Sequence, residues 1–344
     1  MNTRLIISTF ILMILTQSCQ VDNEKKYHTI TLFESTVKNI NYDTQIIGLG
    51  EECVDCLPST ISKIQIQNDI IYILDGTLST MYLFDIDGTF LKKLDCIGQG
   101  PGEYLRIRDF NVKGDILYVY DDRMNKLLLY NKTTLDYLET LNSKIYMRGF
   151  LPLKNGDFLI VLPKDQGRKQ LAIADPLLNI KYDMIDFDKS DKDNRTRYSL
   201  LQSTADCITY CKPETNTVYL LSKDNGLLLD TLEIIAEDEK IEINATPLIY
   251  KNRLIGVYTN AKQERYFFET FYKQNQASYV IPFKSNENDV ETLLNPMSIY
   301  KDSIVVSYYD AEAYEYINKI KRLSDRFETL LYDGGYVLGL YSEK

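Results

Sequence analysis

The chain has 344 residues, 44% hydrophobic and 26% charged, which is the composition of a folded protein and excludes a disordered, collagenous or multi-span membrane chain. Its 39 Lys and Arg against 49 Asp and Glu give a net charge of −10, so a phosphate backbone is a poor partner and no nucleic acid ligand is expected. The one histidine, His28, leaves nothing from which to build a Ser-His-Asp or Cys-His set, while 27 Tyr and 13 Phe supply the aromatic surface in the absence of Trp.

At the N-terminus Arg4 precedes an apolar run from Leu5 to Leu15, too short to cross ~30 Å of hydrocarbon as a helix and of the length of a signal-peptide core. The run ends in Thr16-Gln17-Ser18-Cys19, and a small residue followed by Cys at this place resembles the lipobox of bacterial lipoproteins. The resemblance implies cleavage after Ser18 and lipidation of Cys19. Leu15 departs from the usual pattern by standing four positions before the Cys, and a plain secretory signal with an incidental Cys is the alternative. By the same resemblance, Gln20 in place of Asp after the Cys suits an outer membrane lipoprotein, facing the periplasm or the cell surface. Residues 1–18 then form the signal peptide, 19–28 a polar lipidated tether, and 29–344 the folded domain.

Export matters for the other five cysteines, because thiols outside the cytoplasm tend to pair. Cys53 and Cys56 form a C-x-x-C with no βαβ pattern around it, which favours a structural disulfide over a redox pair. Cys207 and Cys211 lie in a strand-like stretch that would hold their Cα atoms roughly 13 Å apart, too far to bridge. A four-Cys zinc site from the two pairs is disfavoured by compartment and spacing. Cys96 reads as a buried thiol or as a partner to one of these.

From residue 61 onward short β-rich runs alternate with Asp, Asn and Gly turns, without a sustained helical period. Asp69-Ile-Ile-Tyr72-Ile-Leu-Asp75 recurs as Asp115-Ile-Leu-Tyr118-Val-Tyr-Asp121, 46 residues on, and the same shift carries Met81-Tyr-Leu-Phe84-Asp85 onto Leu127-Leu-Leu-Tyr130-Asn131. Weaker copies begin at Asn155, Asn216, Asn252 and Asp302. Six copies at about 47 residues each fit an all-β, six-bladed β-propeller, with seven blades as the alternative. The stretch Thr29 to Ile47 is expected to pair with the last blade and close the ring. A charged insert, Asp188 to Arg197, should bulge between the third and fourth blades as a solvated loop, with calcium binding by its acidic residues as the alternative.

Phe84-Asp-Ile-Asp-Gly88-Thr-Phe followed by Gly98-Gln-Gly-Pro-Gly-Glu103-Tyr104 resembles NHL-repeat propellers, and specifically the NHL-like six-bladed β-propeller lipoproteins of Gram-negative gut bacteria. The resemblance covers about residues 61 to 143 closely and the remainder by strand pattern. It implies fold and address rather than chemistry.

Asp85-Ile86-Asp87-Gly88 opens like a calcium loop but has Cys96 where a bidentate Glu is needed, so it reads as a hairpin turn with Gly88 at positive φ. Gly98 to Gly102 lacks a P-loop Lys and reads as the connection between blades. Just after it, Glu103, Tyr104, Arg106, Arg108 and Asp109 cluster where an inner strand should line the central channel. Aligning Gly114-Asp115 with Gly156-Asp157 places Arg148 level with Arg106, a pair able to hold a carboxylate bidentately, as in a uronate, a sialylated sugar or a peptide terminus. The competing reading pairs each Arg with an acidic neighbour. Tyr72, Tyr118, Tyr120, Tyr258, Tyr308 and Tyr309 could contact glycans, although packing between blades is the commoner use. Asp75, Asp121, Asp122 and Asp310 follow equivalent strands and could face one rim, where such residues more often cap turns.

The sequence thus favours a lipid-anchored binding or interaction module with no catalytic set and no cofactor, its partner a glycan, a peptide or an envelope protein. The alternative is a metal-assisted hydrolase, lactonase or lyase using a channel cation such as calcium, as related propellers imply. A scaffolding subunit of an outer-membrane complex is a third reading.

Overall fold

The computed structural model describes residues 27–32, 42–51, 53, 56–164, 167–187, 200–236, 240–272, 279–282, 296–311 and 325–343; the signal segment, Cys19 and the charged insert lie outside them. Two N-terminal strands, β1 (Tyr27–Leu32) and β2 (Tyr42–Gly48), come before the repeats. Blade I is the antiparallel set β3 (Lys63–Gln67), β4 (Ile70–Asp75), β5 (Thr80–Asp85) and β6 (Phe90–Leu94). Its first hairpin closes through Asn68 and Asp69 at φ 52° and 58°, the left-handed pair that a two-residue hairpin turn requires and that Asn and Asp tolerate.

Blade II repeats the plan in β7 (Ile107–Lys113), β8 (Ile116–Asp121), β9 (Lys126–Asn131) and β10 (Tyr137–Asn142). Blade III holds β11 (Gly149–Pro152), β12 (Phe158–Val161), β13 (Leu171–Ala174) and β14 (Ile180–Met184). Blade IV holds β15 (Leu201–Ser203), β16 (Ile208–Lys212), β17 (Thr217–Leu221) and β18 (Leu228–Ala236). In blade V the first strand is broken into β19 (Ile241–Ile243) and β20 (Leu248–Tyr250), both paired with β21 (Arg253–Asn260), followed by β22 (Arg265–Phe271) and β23 (Tyr279–Pro282). Blade VI is β24 (Pro296–Tyr300), β25 (Ile304–Tyr309) and β26 (Val337–Glu343), with β2 as its outer strand. The six-bladed count is therefore correct.

Two expectations are corrected here. Only the second half of the N-terminal stretch closes the ring: Tyr42 to Gly48 pairs antiparallel with Glu343 to Val337, whereas Tyr27 to Leu32 lies parallel to Thr231 to Ala236 on the outside of blade IV. The folded region thus takes in Tyr27 and His28, which had been assigned to the tether. The copy at Asn216 is the third strand of its blade, not the second, because β16 already fills that place.

Strand alternation explains the core. On β4, Ile71 and Ile73 face blade VI, packing with Ile47, Leu338 and Leu340, while Tyr72 and Leu74 face blade II, packing with Phe110, Val119 and Leu128. Each sheet is buried on both sides, and six apolar clusters fill the six junctions between blades. At about 1.5–3 kcal/mol for each fully buried aliphatic or aromatic side chain, these junctions are the main source of stability. The tyrosines singled out from the sequence serve mostly here, since Tyr72, Tyr120, Tyr258 and Tyr309 are buried.

A helix, Asp325–Tyr332, sits between β25 and β26 and seats Leu331 against Val337 and Tyr341. It stops where the Gly334 and Gly335 amides donate to the Leu331 and Leu330 carbonyls at 3.1 and 2.8 Å, with Gly334 at φ 84°. No helix among the described residues is long and apolar enough to cross a membrane.

Cys53 and Cys56 form the expected disulfide, with Cα atoms 5.2 Å apart. Cys207 and Cys211 are buried thiols outside any disulfide, and Cys96, expected to be buried or paired, is an exposed thiol.

Candidate functional site

We call upper the end at which the first strands begin and the second-to-third turns lie. At that end the blades share a recurring device. Asp75, fully buried, accepts hydrogen bonds from the Ser59 amide and hydroxyl at 2.6 and 2.7 Å, from the Thr60 hydroxyl at 3.0 Å, and from the Thr77 and Leu78 amides at 2.9 Å. Asp121 does the same one blade on, accepting from the Leu105 amide at 2.8 Å and from the Arg123 amide at 2.8 Å. Each carboxylate caps its own turn and pins the incoming connection, as turn-capping Asp residues do.

Burial alone would raise the Asp75 pKa, but the donors from Leu78 and Ser59 outweigh it and hold the carboxyl below its ordinary value. A depressed folded-state pKa stabilises the fold above the unfolded value and loses that contribution as pH falls through the folded one. The unfolding free energy should therefore drop with acidification below about pH 4, and Asp75→Asn should flatten that slope in urea titrations taken across this range.

Counting back from the residue pair that closes each first hairpin, Gln67 with Ile70, Lys113 with Ile116 and Pro152 with Phe158, the fourth residue is Lys63, Asp109 and Arg148 respectively. Arg148 is therefore level with Asp109, not with Arg106. The hairpin of blade III carries five residues, Leu153 to Asp157, where blade II has Gly114 and Asp115, so aligning the turns shifts the first strand out of register.

These three level positions join the blades. Lys63 Nζ donates to Asp109 Oδ1 at 2.7 Å and to the Phe110 carbonyl at 2.7 Å, and lies 5.2 Å from the Phe110 ring centre. Asp109 Oδ2 accepts from the Phe150 amide at 3.0 Å, so one carboxylate ties blades I, II and III. Below it, Gln65 exchanges two hydrogen bonds with the Val112 backbone and Asn111 Nδ2 donates to the Phe150 carbonyl at 2.6 Å. The polar faces of these inner strands are spent on one another.

Beside this layer, at the upper mouth between blades II and III, Arg106, Arg108 and Arg148 gather with Asp122 and Tyr146. Arg106 makes a two-pronged pair with Asp122, Nε donating at 2.7 Å, and its side chain remains 38% exposed. The Tyr146 hydroxyl donates to Asp122 Oδ2 at 3.1 Å, and the Arg148 guanidinium lies 5.4 Å from the Tyr146 ring centre. Arg108 Nε donates to the Arg148 carbonyl at 3.3 Å. Burial first, and then the Asp122 charge, pushes the Tyr146 phenol up against the opposing pull of Arg148 and Arg108. The Met147 amide donates to the Tyr120 hydroxyl at 2.9 Å, which holds the strand leading to Arg148 in place.

Of the sequence candidates, Arg106, Arg108 and Arg148 come together here, and the Arg106 pairing with Asp122 is the acidic-neighbour reading. Glu103 and Tyr104 go elsewhere. Glu103 folds back to accept from the Gly100 amide at 2.7 Å, and Tyr104 is fully buried between blades I and II, donating to the Leu94 carbonyl at 2.7 Å. Tyr104→Phe should cost about 1 kcal/mol in chemical denaturation, the worth of one buried hydrogen bond. Tyr146 was not anticipated; its signal was its place two residues before Arg148, on the same side of an extended chain.

A separate cavity of about 260 Å³ lies at the outer junction of blades VI and I, lined by Gly48, Gly50, Glu51, Cys53, Asp87, Gly88, Thr89, Phe90 and Arg326. Gly88, at φ 89°, is the hairpin glycine expected from the sequence, and a Cβ there would overlap the Gly48 carbonyl oxygen. At the lower end, buried Glu269 receives the Tyr42 hydroxyl at 2.7 Å and Arg253 Nη1 at 2.5 Å, and Arg253 Nη2 reaches Glu343 Oε1 at 2.5 Å. Among the described residues no three His, Cys, Asp or Glu side chains converge as a metal-binding group.

This geometry of nested inner strands agrees with the comparisons. Residues 20–295 match the family model described as 6-bladed beta-propeller (DUF5128), and the chain belongs to that family. Among solved structures, a Bacteroides fragilis protein whose name describes it as exported aligns at 17% identity over 92% of this chain and 99% of its own, with a TM-score of 0.72, a likeness of fold. A hydrazine synthase of Kuenenia stuttgartiensis aligns at 10% identity over 80% of this chain and 83% of its own (TM-score 0.43). BamB of Moraxella catarrhalis aligns at 11% over 81% and 71% (TM-score 0.35). No curated protein matches the sequence.

Proposed function

We propose that this protein is an exported propeller of the cell envelope, lipidated at Cys19 and held by that lipid at the outer membrane, that works as an interaction module. Its upper mouth receives an anionic group of the partner: the carboxylate of a peptide terminus or of an acidic sugar, borne by an envelope protein or a glycan. The observation that carries this reading is the gathering at the mouth of Arg106, Arg108 and Arg148 with the Asp122 carboxylate and the Tyr146 ring and hydroxyl. Guanidinium groups grip carboxylates in two-pronged fashion, and the Tyr146 ring beside Arg148 adds aromatic surface for the rest of the ligand. The exported relative of the same fold is in keeping with the leader-like segment at residues 1–18.

The test is thermal unfolding of residues 20–344 with acidic and neutral oligosaccharides and peptides, with calcium and with chelator. An acidic ligand at a hundred times its dissociation constant should add about 2.7 kcal/mol to the native state, and Arg148→Gln should remove that gain, each protein being compared with its own unliganded midpoint. A shift that depends on calcium and survives Arg148→Gln would overturn the reading in favour of metal-assisted chemistry.

A further inference from the structure

The parallel pairing of β1 with β18 fixes where a lipid tether would leave the fold. Tyr27 stands opposite Thr231, so Leu228, Leu229 and Asp230 at the start of β18 run past the first residue of β1. Leu227, Leu228 and Leu229 are 48%, 45% and 59% exposed, three consecutive leucines open to solvent. Tyr182, 40% exposed, is central in the outer strand of blade III, as Lys92 is in that of blade I, and Lys92 reaches the third-to-fourth turn of the next blade by donating to the Thr134 carbonyl at 3.3 Å. The equivalent turn of blade IV is the one that leads into Leu227. That turn also meets the lower end of blade III, where the Lys154 and Asn155 amides donate to the Lys223 and Asp224 carbonyls at 3.1 Å.

Consecutive exposed leucines are unusual on a protein surface and mark a contact face. Cys19 is eight residues from Tyr27, which a fully extended chain covers in at most about 27 Å, and the last two residues before Tyr27 are Lys25 and Lys26. A diacylated Cys19 would therefore keep this wall within reach of the headgroups, and the sequence between lipid and fold carries two cations to meet anionic lipid.

We propose that the outer wall formed by Leu227, Leu228, Leu229 and Tyr182 rests on the lipid surface, so that the upper mouth with Arg106 and Arg148 is left open to the aqueous side. The proposal rests on the lipid-anchor reading above and adds an orientation to it.

The experiment uses the full chain, produced in a bacterium that processes lipoproteins and reconstituted into phosphatidylethanolamine and phosphatidylglycerol vesicles with brominated acyl chains. With Cys96→Ser to remove the exposed thiol, a fluorophore is placed at Leu229→Cys or, for comparison, at Arg123→Cys on an upper turn. Quenching at least threefold greater at position 229 is expected. Equal quenching at the two positions, with Cys19 shown by intact mass to carry its lipid, overturns the orientation while leaving the anchor intact. A chain that carries no lipid on Cys19 and fails to float with the vesicles overturns the anchor and the proposal together, and the mass tells the two failures apart. The Leu228→Ser/Leu229→Ser double variant alters exposed positions only, so it should fold with an unchanged midpoint. It should lose the excess quenching when the fluorophore is moved to Tyr182→Cys; retained quenching counts against the leucine wall.

Discussion

Replacing Asp109 by Ala is expected to lower the unfolding free energy by about 3–5 kcal/mol, the cost of stranding a buried charge. Lys63 Nζ would lose its 2.7 Å partner in a place where its side chain is only 8% exposed, and the Phe110 and Phe150 amides would lose an acceptor. Because those groups belong to blades I, II and III, the loss should appear as a lower urea midpoint for the whole domain rather than as local fraying. The double variant Lys63→Met/Asp109→Leu, which removes the charges together, should recover much of the loss; a single Asp109→Ala effect under 1 kcal/mol would show that water reaches Lys63 and that the tie is weak.

Removing β2 should be costlier still. A chain starting at residue 49 lacks the outer strand of blade VI, so the outward edge of β26 loses its pairing along seven residues; because it also lacks β1 and with it Ile30 and Leu32, its comparison with a chain starting at residue 33, which lacks β1 alone, isolates the part due to β2. Tyr42 and Ile47, 1% and 3% exposed, would leave the junctions of blade VI with blades V and I, at about 1.5–3 kcal/mol each. Glu269 would also lose the Tyr42 hydroxyl, leaving Arg253 as its remaining tie at 2.5 Å. The expected outcome is a chain that aggregates through its open sheet edge, measured by size-exclusion chromatography against chains starting at residues 20 and 33. A monomeric product with an unchanged melting midpoint would mean that ring closure contributes little.

The parts of this fold that could be read from the sequence are those in which neighbouring blades use turns of equal length. Blades I and II share two-residue first hairpins, Asn68-Asp69 and Gly114-Asp115, and so the 46-residue shift holds on their first three strands, while the longer last turn of blade II moves the fourth strand one residue further on. The five-residue hairpin of blade III breaks that correspondence on one side only, which is why Arg148 aligned with Arg106 by its turn but stands level with Asp109 on its strand. In blade IV the apolar Asn216-Thr-Val-Tyr-Leu-Leu run mimics a second strand, while the real one, Ile208 to Lys212, carries Cys, Thr and Lys and has no turn glycine to announce it. The N-terminal stretch offered one strand-like run, and nothing in its pattern could say that its halves join different blades, because pairing partners so far apart in sequence leave no local trace. The three arginines were visible as residue types. Their gathering at one mouth, with Arg106 on Asp122, was not, since the register at the start of β7 passes through a bulge between Ile107 and Asp109 that no sequence alignment of the turns reveals.

The parallel strand on blade IV also decides how the molecule meets mechanical load. Traction on the N-terminus arrives first at Tyr27 and runs along β1, so the ladder from Tyr27 to Leu32 opposite Thr231 to Ala236 is sheared with its rungs loaded together. The strand that seals the ring, Tyr42 to Gly48, comes later in the chain and on a different blade, so tension entering through Tyr27 meets the blade IV ladder before it meets the closing one. Under such a pull β1 would act as a sacrificial clasp, one short strand giving way ahead of the ring.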